Sequence, residues 1–404
     1  MRLRPGLAAA FVLLCSLPMP SQAGWDWLYE WRVANRPPPG RPAVYSRSDP
    51  QLWPSERVAG AAAPVPLPRG ASACLSEAAL APTLAEIERV RSDAFLVWHR
   101  GRVVFERYAE DRGPDASTEP ASMHKSVLAL VVGQAVADGF IPTVQAPVSR
   151  WLTEWAGDPR GAITIEQMLQ MASGLAPLPF DMSPGSAWNR ALLGADSTAV
   201  PLSAALADTP GTRFNYASGI SQLLGLIVER ATGQRYAHYL SQRLWQPLGA
   251  AEAFVVLDHP GGLARTASGL FARPEDWLRV GLLFVHGGRV GDRQLMDPAW
   301  LQAMGAPSTA NPNYGYQLWR GSPHAPQRRY NSVTPGAVPA SAPFLADDML
   351  FFDGAGAQRV YVSAREQLVI VRQGAAAFDW DDSRVPNLVV QAARGCDAGV
   401  RVAR

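Results

Sequence analysis

The chain has 404 residues, of which 48% are hydrophobic, so it is long enough to bury a large core within one elaborated domain. Its 37 basic and 35 acidic residues give a formal net charge of +2, without long runs of either sign. This balance gives no electrostatic case for binding nucleic acid or an anionic membrane, and a small neutral or mixed substrate remains open.

Residues 1–23 have the pattern of a cleaved signal peptide. Two arginines precede the apolar segment 7–17, and small residues occupy the cleavage positions at 21–23. Pro18 and Pro20 interrupt the apolar segment before it reaches the roughly 20 residues that a membrane anchor needs. We therefore expect a periplasmic or secreted protein without stable membrane insertion after cleavage.

Residues 24–72 are rich in tryptophan and proline and lack sustained helical or strand periodicity. Four tryptophans in a free linker would be unusual, so we expect this segment to be a strap that docks on the main body. An extended linker is the alternative interpretation.

The pattern of residues 73–400 predicts a mixed α/β domain of the α+β type, in which an antiparallel sheet is flanked by helices. Segments 95–98 and 103–105 lie on either side of a turn at Arg100-Gly101 and predict a β-hairpin. Segments near the other end of the chain are equally β-rich and are separated by short glycine or polar turns: 349–352, 359–363 and 367–372.

The sheet subdomain therefore combines residues 73–120 with residues 300–400, and residues 121–299 form a large, mostly helical subdomain inserted between them. Thr164 is a candidate capping residue at the start of one helix, and glycine or proline follows several others. The expected helices are 83–91, a buried helix from about 122 to 137, 163–169, 218–232, 236–245, 273–286 and 385–393.

Two cysteines, Cys74 and Cys396, remain near the two ends of this domain once the signal peptide is removed. The predicted compartment permits disulfides, so we expect a bridge between them. Spacing alone does not establish the geometry of a disulfide, and two unpaired buried thiols are the alternative.

Lys125 is the only lysine among the 37 basic residues, and it lies three residues after Ser122. Arginine cannot give up its proton in a protein, whereas a desolvated lysine can. On a helix that begins near Ser122, a spacing of three places the hydroxyl and the amine on one face. This S-x-x-K pair predicts a serine nucleophile with lysine as its proton acceptor. By chance alone, a serine would stand three residues before a given lysine in about one case in fifteen.

A loop at 211–218 places Tyr216 and Ser218 at the start of the expected helix 218–232. Loops that are held by a rigid scaffold commonly carry catalytic groups. A phenol in such a loop can relay a proton between a lysine, a nucleophile and a leaving group. A packing role for the tyrosine is the alternative.

Several linked motifs cover most of residues 74–374: Ser122-Met123-His124-Lys125, 163–165 through 173–175, 210–212 through 216–218, 222–225 through 247–249, 269–279, Gly287-Gly288 and 314–319. They occur in the order seen in penicillin-recognising serine hydrolases, and the chain resembles their class C β-lactamase branch. Within this branch, Tyr-x-Ser at 216–218 and the segment 357–362 are most similar to 6-aminohexanoate-dimer (nylon-oligomer) hydrolases and related esterases.

The resemblance implies that Ser122 is the nucleophile, Lys125 its general base and Tyr216 the proton relay to the leaving group. It also implies an oxyanion hole formed by the backbone N–H of Ser122 and by one N–H from the strand region around Gly356 to Gln358. The remaining residues that it places at the substrate are Ala357, Ser218 and Asp181.

The chain departs from this family at the third motif of β-lactamases, Lys-Thr-Gly, where it has Asp353-Gly354-Ala355-Gly356. An aspartate beside the site would repel the carboxylate of a β-lactam or peptide, so we expect β-lactams to be poor substrates compared with short-chain esters. Asp181 stands where the nylon-oligomer hydrolases have a tyrosine, which weakens the expectation of nylon-oligomer cleavage.

The function that these observations favour is a serine hydrolase that cleaves a small ester or amide through an acyl-enzyme intermediate. The alternatives are a DD-peptidase or weak β-lactamase, and a non-catalytic penicillin-binding-like module that only binds a ligand. The six histidines are scattered and the cysteines lack C-x-x-C spacing, so we expect neither a metal site nor a cofactor. The sequence leaves the oligomeric state open.

Overall fold

The computed structural model describes residues 26–34, 53–334 and 336–402, with only the backbone described from 396 onward. The predicted signal peptide at 1–23 and the side chain of Cys396 lie outside the described residues. Cys74 is disulfide-bonded. Its pairing with Cys396 stays a prediction.

The centre of the fold is an antiparallel sheet built from distant parts of the chain. In chain order, the strands of the described residues are β1 (Ser55–Val58), β2 (Ser92–His99), β3 (Arg102–Tyr108), β4 (Ala253–Val256), β5 (Leu270–Phe271), β6 (Arg289–Val290), β7 (Arg293–Gln294), β8 (Trp319–Arg320), β9 (Gln327–Arg328), β10 (Val338–Pro339), β11 (Leu350–Gly354), β12 (Gln358–Ser363) and β13 (Leu368–Gly374). Six of them form the central sheet in the order β3-β2-β13-β12-β11-β8, which confirms the predicted antiparallel sheet with strands from both ends of the chain.

Helices flank this sheet and fill the section between its strands. A 3-10 turn at Ala121–Met123 leads into the third helix, and a π turn at Ser241–Trp245 continues the eighth. None of the described helices is both long and apolar enough to span a membrane. The helices are α1 (Asp26–Ala34), α2 (Ala81–Arg89), α3 (His124–Ala137), α4 (Ile165–Leu169), α5 (Ala187–Leu193), α6 (Ala199–Ser203), α7 (Ser218–Thr232), α8 (Tyr236–Leu240), α9 (Pro274–Val285), α10 (Pro298–Gly305) and α11 (Arg384–Val402).

The ends of two helices follow from local signals in the sequence. Thr164 caps α4 as predicted: its hydroxyl accepts a hydrogen bond from the Gln167 amide, and the Gln167 side chain accepts one from the Thr164 amide. Gly233 ends α7 in the left-handed conformation, with φ of 66°, which glycine adopts without steric cost. These caps fix the start of α4 and the end of α7, two helices that pack against each other.

The central strands β12 and β13 are buried along their whole length. Side chains alternate between the two faces of a strand, so Val360 and Val362 face α9 while Tyr361 points to the opposite side. There the Tyr361 hydroxyl accepts a hydrogen bond from the indole of Trp380 at 3.0 Å. On α9, a Cβ at position 281 would lie only 2.7 Å from the Val369 side chain, so Gly281 allows the helix to approach the sheet closely.

The third helix, α3, is the central helix of the inserted section. Its residues 124–135 are all buried, as expected of a helix whose sequence is apolar on every face. It packs against α7, and the 3-10 turn at its start contacts β11 at the side of the sheet. The beginning of α3 is therefore held between the helical section and the sheet.

The described parts of the predicted strap pack on the main body. Strand β1 pairs with β4, and α1 contributes Tyr29 to a small apolar cluster with Trp53, Leu193 and Phe271. Arg32 donates to the carbonyl oxygen of Leu193 at 2.9 Å, and its guanidinium lies 4.0 Å from the centre of the Trp53 ring. The strap thus contains a regular helix and a strand that its mixed proline-rich sequence does not predict.

Four buried charged side chains form a closed ring beside the sheet, which we call the charge ring. Arg328 contacts Asp353 at 3.1 Å, Asp353 contacts Arg359 at 2.7 Å, and Asp382 contacts both Arg359 and Arg328 at 2.8 Å. Although burial alone would raise the pKa of Asp353, the two arginines lower it below its usual value, so this carboxylate is ionised. The ring is electrically balanced and connects β9, β11, β12 and the loop before α11.

We expect replacement of one member of the charge ring to be strongly destabilising, because it leaves buried charges without a partner. Asp382→Ala should lower the free energy of unfolding by roughly 3–5 kcal/mol, measured by urea denaturation. Asp347→Ala is the matched control, because the Asp347–Arg365 pair is 70% exposed on both sides. It should cost less than about 1 kcal/mol. Equal losses in the two variants would contradict a structural role for the ring.

Candidate active site

The structure brings Ser122 and Lys125 into direct contact. Ser122 lies in the 3-10 turn before α3, and Lys125 lies in the first turn of α3. The Lys125 Nζ donates to the Ser122 Oγ at 2.8 Å and to the carbonyl oxygen of Ala267 at 2.7 Å. It also donates to the Ser218 Oγ at 3.2 Å, at the first residue of α7. The amine is thus held against the Ser122 hydroxyl by acceptors from two other segments.

The environment of Lys125 favours its neutral form. The residue is only 1% exposed, and burial lowers its pKa to about 7, although Asp353 opposes this effect. Within the described part of the chain, no carboxylate forms an ion pair with it. A substantial fraction of the amine is therefore unprotonated at neutral pH and can accept a proton from the adjacent hydroxyl.

Tyr216 lies on the other side of the same pair. Its ring centre is 5.2 Å from the Lys125 Nζ, and its amide donates to the carbonyl oxygen of Tyr330 at 2.9 Å. The side chain of Asn331 donates to the Tyr216 carbonyl oxygen at 3.1 Å. Burial raises the pKa of Tyr216 well above its usual value, although a hydrogen bond with Ser122 opposes this rise. The phenol is therefore protonated and can donate its proton.

The end of β11 contacts the turn that carries Ser122. A Cβ at Gly354 would lie 2.3 Å from the carbonyl oxygen of Pro120 and 3.2 Å from the side chain of Met123, so only glycine allows this approach. This contact places the backbone of Gly354 and Ala355 beside the serine. Backbone N–H groups in such a position can stabilise a developing oxyanion.

The predicted oxyanion region at Gly356, Ala357 and Gln358 lies farther along the hairpin. All three residues line the same cavity as Ser122, but the Gln358 side chain is turned away to bond with both the N–H and the C=O of Gly374, at 3.0 and 2.8 Å. The strand prediction ended at 352, whereas β11 continues to Gly354. Strand β12, which begins at Gln358, also contacts the serine turn, and the oxyanion role of residues 356–358 stays a prediction.

Asp181 and Asp353 behave differently from their predicted roles. Asp181 is exposed and lies outside the cavity walls, and its carboxylate accepts hydrogen bonds from the amide and hydroxyl of Ser183 at 2.8 and 2.6 Å. The predicted substrate contact by Asp181 is thus not supported. Asp353 lines the cavity, but Arg328 and Arg359 balance its charge, so the predicted repulsion of a substrate carboxylate loses its physical basis.

His124, between the two candidate catalytic residues in sequence, faces away from them. Its ring nitrogens lie 2.6 Å from the Ser268 carbonyl oxygen and 2.9 Å from the Tyr236 hydroxyl. Burial lowers its pKa to about 4, so the ring is neutral. Sequence reasoning missed the Ala267 carbonyl oxygen that holds Lys125, because a backbone acceptor has no signature in the sequence.

Ser122 opens onto a cavity of about 1330 Å³. Tyr216, Ser218 and the hairpin after β11 share its wall with the serine. No group of three or more histidine, cysteine or acidic residues within the described ranges is arranged to hold a metal ion. Much of the wall is apolar and includes Leu175, Leu178, Phe180, Trp188, Leu192, Val200, Ile220, Phe271, Val338, Phe378 and Trp380.

Comparison with known proteins places this site in a family. Over residues 78–373 the chain matches the family model described as beta-lactamase. The chain belongs to the beta-lactamase family. The family assignment covers the sheet, the inserted helical section and the Ser122–Lys125 pair.

Individual relatives within the beta-lactamase family match shorter parts of the chain. The 6-aminohexanoate-dimer hydrolase of Paenarthrobacter ureafaciens is 29% identical over 230 residues, which are 54% of this chain and 58% of that protein. Esterase EstB of Burkholderia gladioli is 33% identical over 154 residues, which are 35% of this chain and 38% of that protein. The chain thus matches less than two thirds of the length of either relative.

A solved structure extends the likeness of the beta-lactamase fold to most of the chain. A Bacillus anthracis protein proposed to be a 6-aminohexanoate-dimer hydrolase superposes with a TM-score of 0.69 at 18% sequence identity. The superposition covers 88% of this chain and 94% of that protein. At this identity the likeness concerns the fold.

We expect Gly354→Ala to impair the reactivity of Ser122. The added methyl group would collide with the Pro120 carbonyl oxygen and displace the turn that carries the serine. The rate of covalent labelling by a fluorophosphonate should fall at least about tenfold, while circular dichroism shows a folded protein. Gly113→Ala is the matched control, because nothing lies within 4 Å of a Cβ at that position. An unchanged labelling rate in Gly354→Ala would contradict the tight contact.

Proposed function

We propose that the protein is a serine hydrolase that cleaves small esters or amides through an acyl-enzyme intermediate. The observation that carries this proposal is a buried amine with a pKa of about 7, hydrogen-bonded to the Ser122 hydroxyl at 2.8 Å. A nucleophile in contact with a base of matched pKa is the arrangement that acyl transfer needs. Relatives named as a 6-aminohexanoate-dimer hydrolase and as an esterase support an amide or ester substrate.

In the acylation step, the Ser122 Oγ attacks the substrate carbonyl carbon while its proton passes to the neutral Lys125 Nζ. The negative charge that develops on the carbonyl oxygen is met by the Ser122 N–H and by a backbone N–H at the end of β11, near Gly354. Each such donor is worth roughly 3 kcal/mol in the transition state. The close approach of β11 to the serine turn supports this assignment.

Collapse of the tetrahedral intermediate breaks the bond between the carbonyl carbon and the leaving oxygen or nitrogen. Tyr216 donates its hydroxyl proton to the leaving group and recovers a proton from the Lys125 ammonium, which restores the neutral amine. Water then attacks the acyl-enzyme with the same groups acting in reverse and releases the acid. The raised pKa of Tyr216 supports a role as proton donor, because burial keeps the phenol protonated until the leaving group needs a proton.

The cavity indicates what kind of substrate the site can hold. Its volume of about 1330 Å³ exceeds the roughly 300–1,000 Å³ of typical small-molecule sites, and much of its wall is apolar. Phe180 and Phe378 line it and remain 47% and 81% exposed, so apolar surface extends to its mouth. We therefore propose substrates with a substantial apolar group on one side of the scissile bond.

We also propose that the protein functions in the periplasm or outside the cell, after cleavage of residues 1–23. The disulfide at Cys74 supports this location, because disulfides persist in oxidising compartments. Cys396 is the remaining cysteine of the proposed mature chain and lies in α11. Arg384 of α11 and Glu86 of α2 contact at 3.3 Å, so the two helices pack near each other.

Replacing Lys125 with arginine tests its role as the base. The variant keeps a positive charge and a long side chain but loses any proton-accepting form. Lys125→Arg should slow fluorophosphonate labelling of Ser122 by roughly a thousandfold or more, with circular dichroism confirming the fold. Ser122→Ala defines the background. Near-equal rates in Lys125→Arg and the unmodified protein would refute the catalytic assignment.

The pH dependence of labelling should report the titration of Lys125. Only the neutral amine can accept the serine proton, and burial lowers its pKa to about 7. The rate should therefore rise about tenfold per pH unit below pH 7 and level off above it. Labelling is measured between pH 5.5 and 8.5 under conditions where circular dichroism stays constant. A rate that is flat, or that falls with rising pH across this range, would rule out a base of this pKa.

A further inference from the structure

Glu119 lies on the wall of the cavity, three residues before Ser122. Its carboxylate makes no hydrogen bond and no ion pair with any residue in the described part of the chain. Burial is the one cause that changes its pKa, and it raises that pKa well above the usual value. Glu119 is half-buried, so its carboxyl group stays accessible from the cavity, and a cation that enters there would offset the cost of ionising it.

The other charged groups of the cavity wall interact with partners in the protein. Asp353 and Arg359 belong to the charge ring, and Arg265 donates to the carbonyl oxygen of Leu192 at 2.8 Å. Burial raises the pKa of Asp93, and the nearby Arg112 opposes this rise, whereas no arginine acts on Glu119. Among the described wall residues, Glu119 is therefore the acidic group on which no arginine acts.

The backbone on both sides of Glu119 is fixed relative to Ser122. Thr118 forms a β-bridge with Ala272, and the Pro120 carbonyl oxygen faces Gly354 of β11. Three peptide units separate the Cα atoms of Glu119 and Ser122 by at most roughly 11 Å. Beside Glu119, the Thr118 hydroxyl is also buried on the cavity wall without a hydrogen-bond partner. The side chains of Thr118 and Glu119 are thus held near Ser122, and each can form further hydrogen bonds.

We propose that Glu119 is a specificity-determining residue that binds a positively charged group, such as an ammonium, on the substrate. The inference rests on the proposed hydrolase function and names the class of substrate: an ester or amide that carries a cation near the scissile bond. A cation lowers the cost of ionising a desolvated carboxylate, and charge-assisted hydrogen bonds are about twice as strong as neutral ones. Without a cation in the cavity, burial favours the protonated, neutral form of Glu119.

Two pairs of esters that differ only in charge test this inference. Butyrylcholine and 3,3-dimethylbutyl butyrate place the cation, or its neutral isostere, on the alcohol side. The 4-nitrophenyl esters of 4-(trimethylammonio)butyrate and 5,5-dimethylhexanoate place it on the acyl side. The quantity measured is the ratio of kcat/KM for the cationic ester to kcat/KM for its neutral isostere, which cancels changes in the reactivity of Ser122.

The unmodified protein should prefer the cationic member of at least one pair by tenfold or more, and Glu119→Gln should reduce that ratio to within about twofold of unity. Glu110→Gln, at an exposed glutamate outside the cavity wall, is the matched control and should keep the preference. If Glu119→Gln fails to fold, Glu119→Leu serves as the second neutral variant.

Absence of a cation preference in the unmodified protein, or its persistence in the neutral variants, would overturn the role of Glu119. Turnover of the neutral esters would show in that case that the hydrolase function stands without this specificity. If none of the four esters is cleaved and Ser122 is not labelled by a fluorophosphonate, the proposed function fails and the inference fails with it.

Discussion

The candidate site depends on the exclusion of water from a single amine. The Lys125 amine lies within hydrogen-bond distance of two hydroxyls and one backbone carbonyl oxygen, all of which are neutral. A carboxylate in direct contact would hold the amine protonated and remove its value as a base. The wholly buried helix α3 provides this environment, and the sheet and α7 close around its first turn.

The charge ring contributes to the same result from a distance. The carboxylate of Asp353 interacts electrostatically with Lys125, and by itself it would raise the pKa of the amine. Arg328 and Arg359 balance it, so the carboxylate can brace β11 without cancelling the effect of burial on the lysine. Buried ion pairs bring little net stability compared with apolar packing. Here the charge ring holds β11, the strand that contacts the serine turn, so the ring contributes to the position of the site and not to net stability.

The sequence was sufficient for features that depend on neighbouring residues. The sole lysine, its spacing from Ser122 and the cap at Thr164 are local patterns, and each corresponds to a contact in the structure. The sequence did not show that the charge of Asp353 is balanced, because its partners lie at positions 328 and 359, and such pairing is set by the fold. The strand end at Gly354 was missed because glycine weakens strand propensity, although here the absence of a side chain permits the contact.

Long-range docking explains the remaining differences. Helix α1 has only nine residues within a proline-rich segment, and its place is set by contacts with the loop and helix near Leu193. No sequence motif marks Glu119, because what distinguishes it is that no charged side chain on the cavity wall acts on its carboxyl group. Residues of this kind become visible only when all neighbours of a side chain are known.

The burial of Lys125 has a consequence for the chemistry of the whole protein surface. Every other basic side chain except histidine is an arginine, and the one lysine is 1% exposed. Reagents that acylate primary amines, and sugars that glycate them, therefore find no accessible lysine on the folded protein. The α-amino group at the start of the chain is the remaining target, so coupling through amines would attach the protein to a support or a dye at a single defined end.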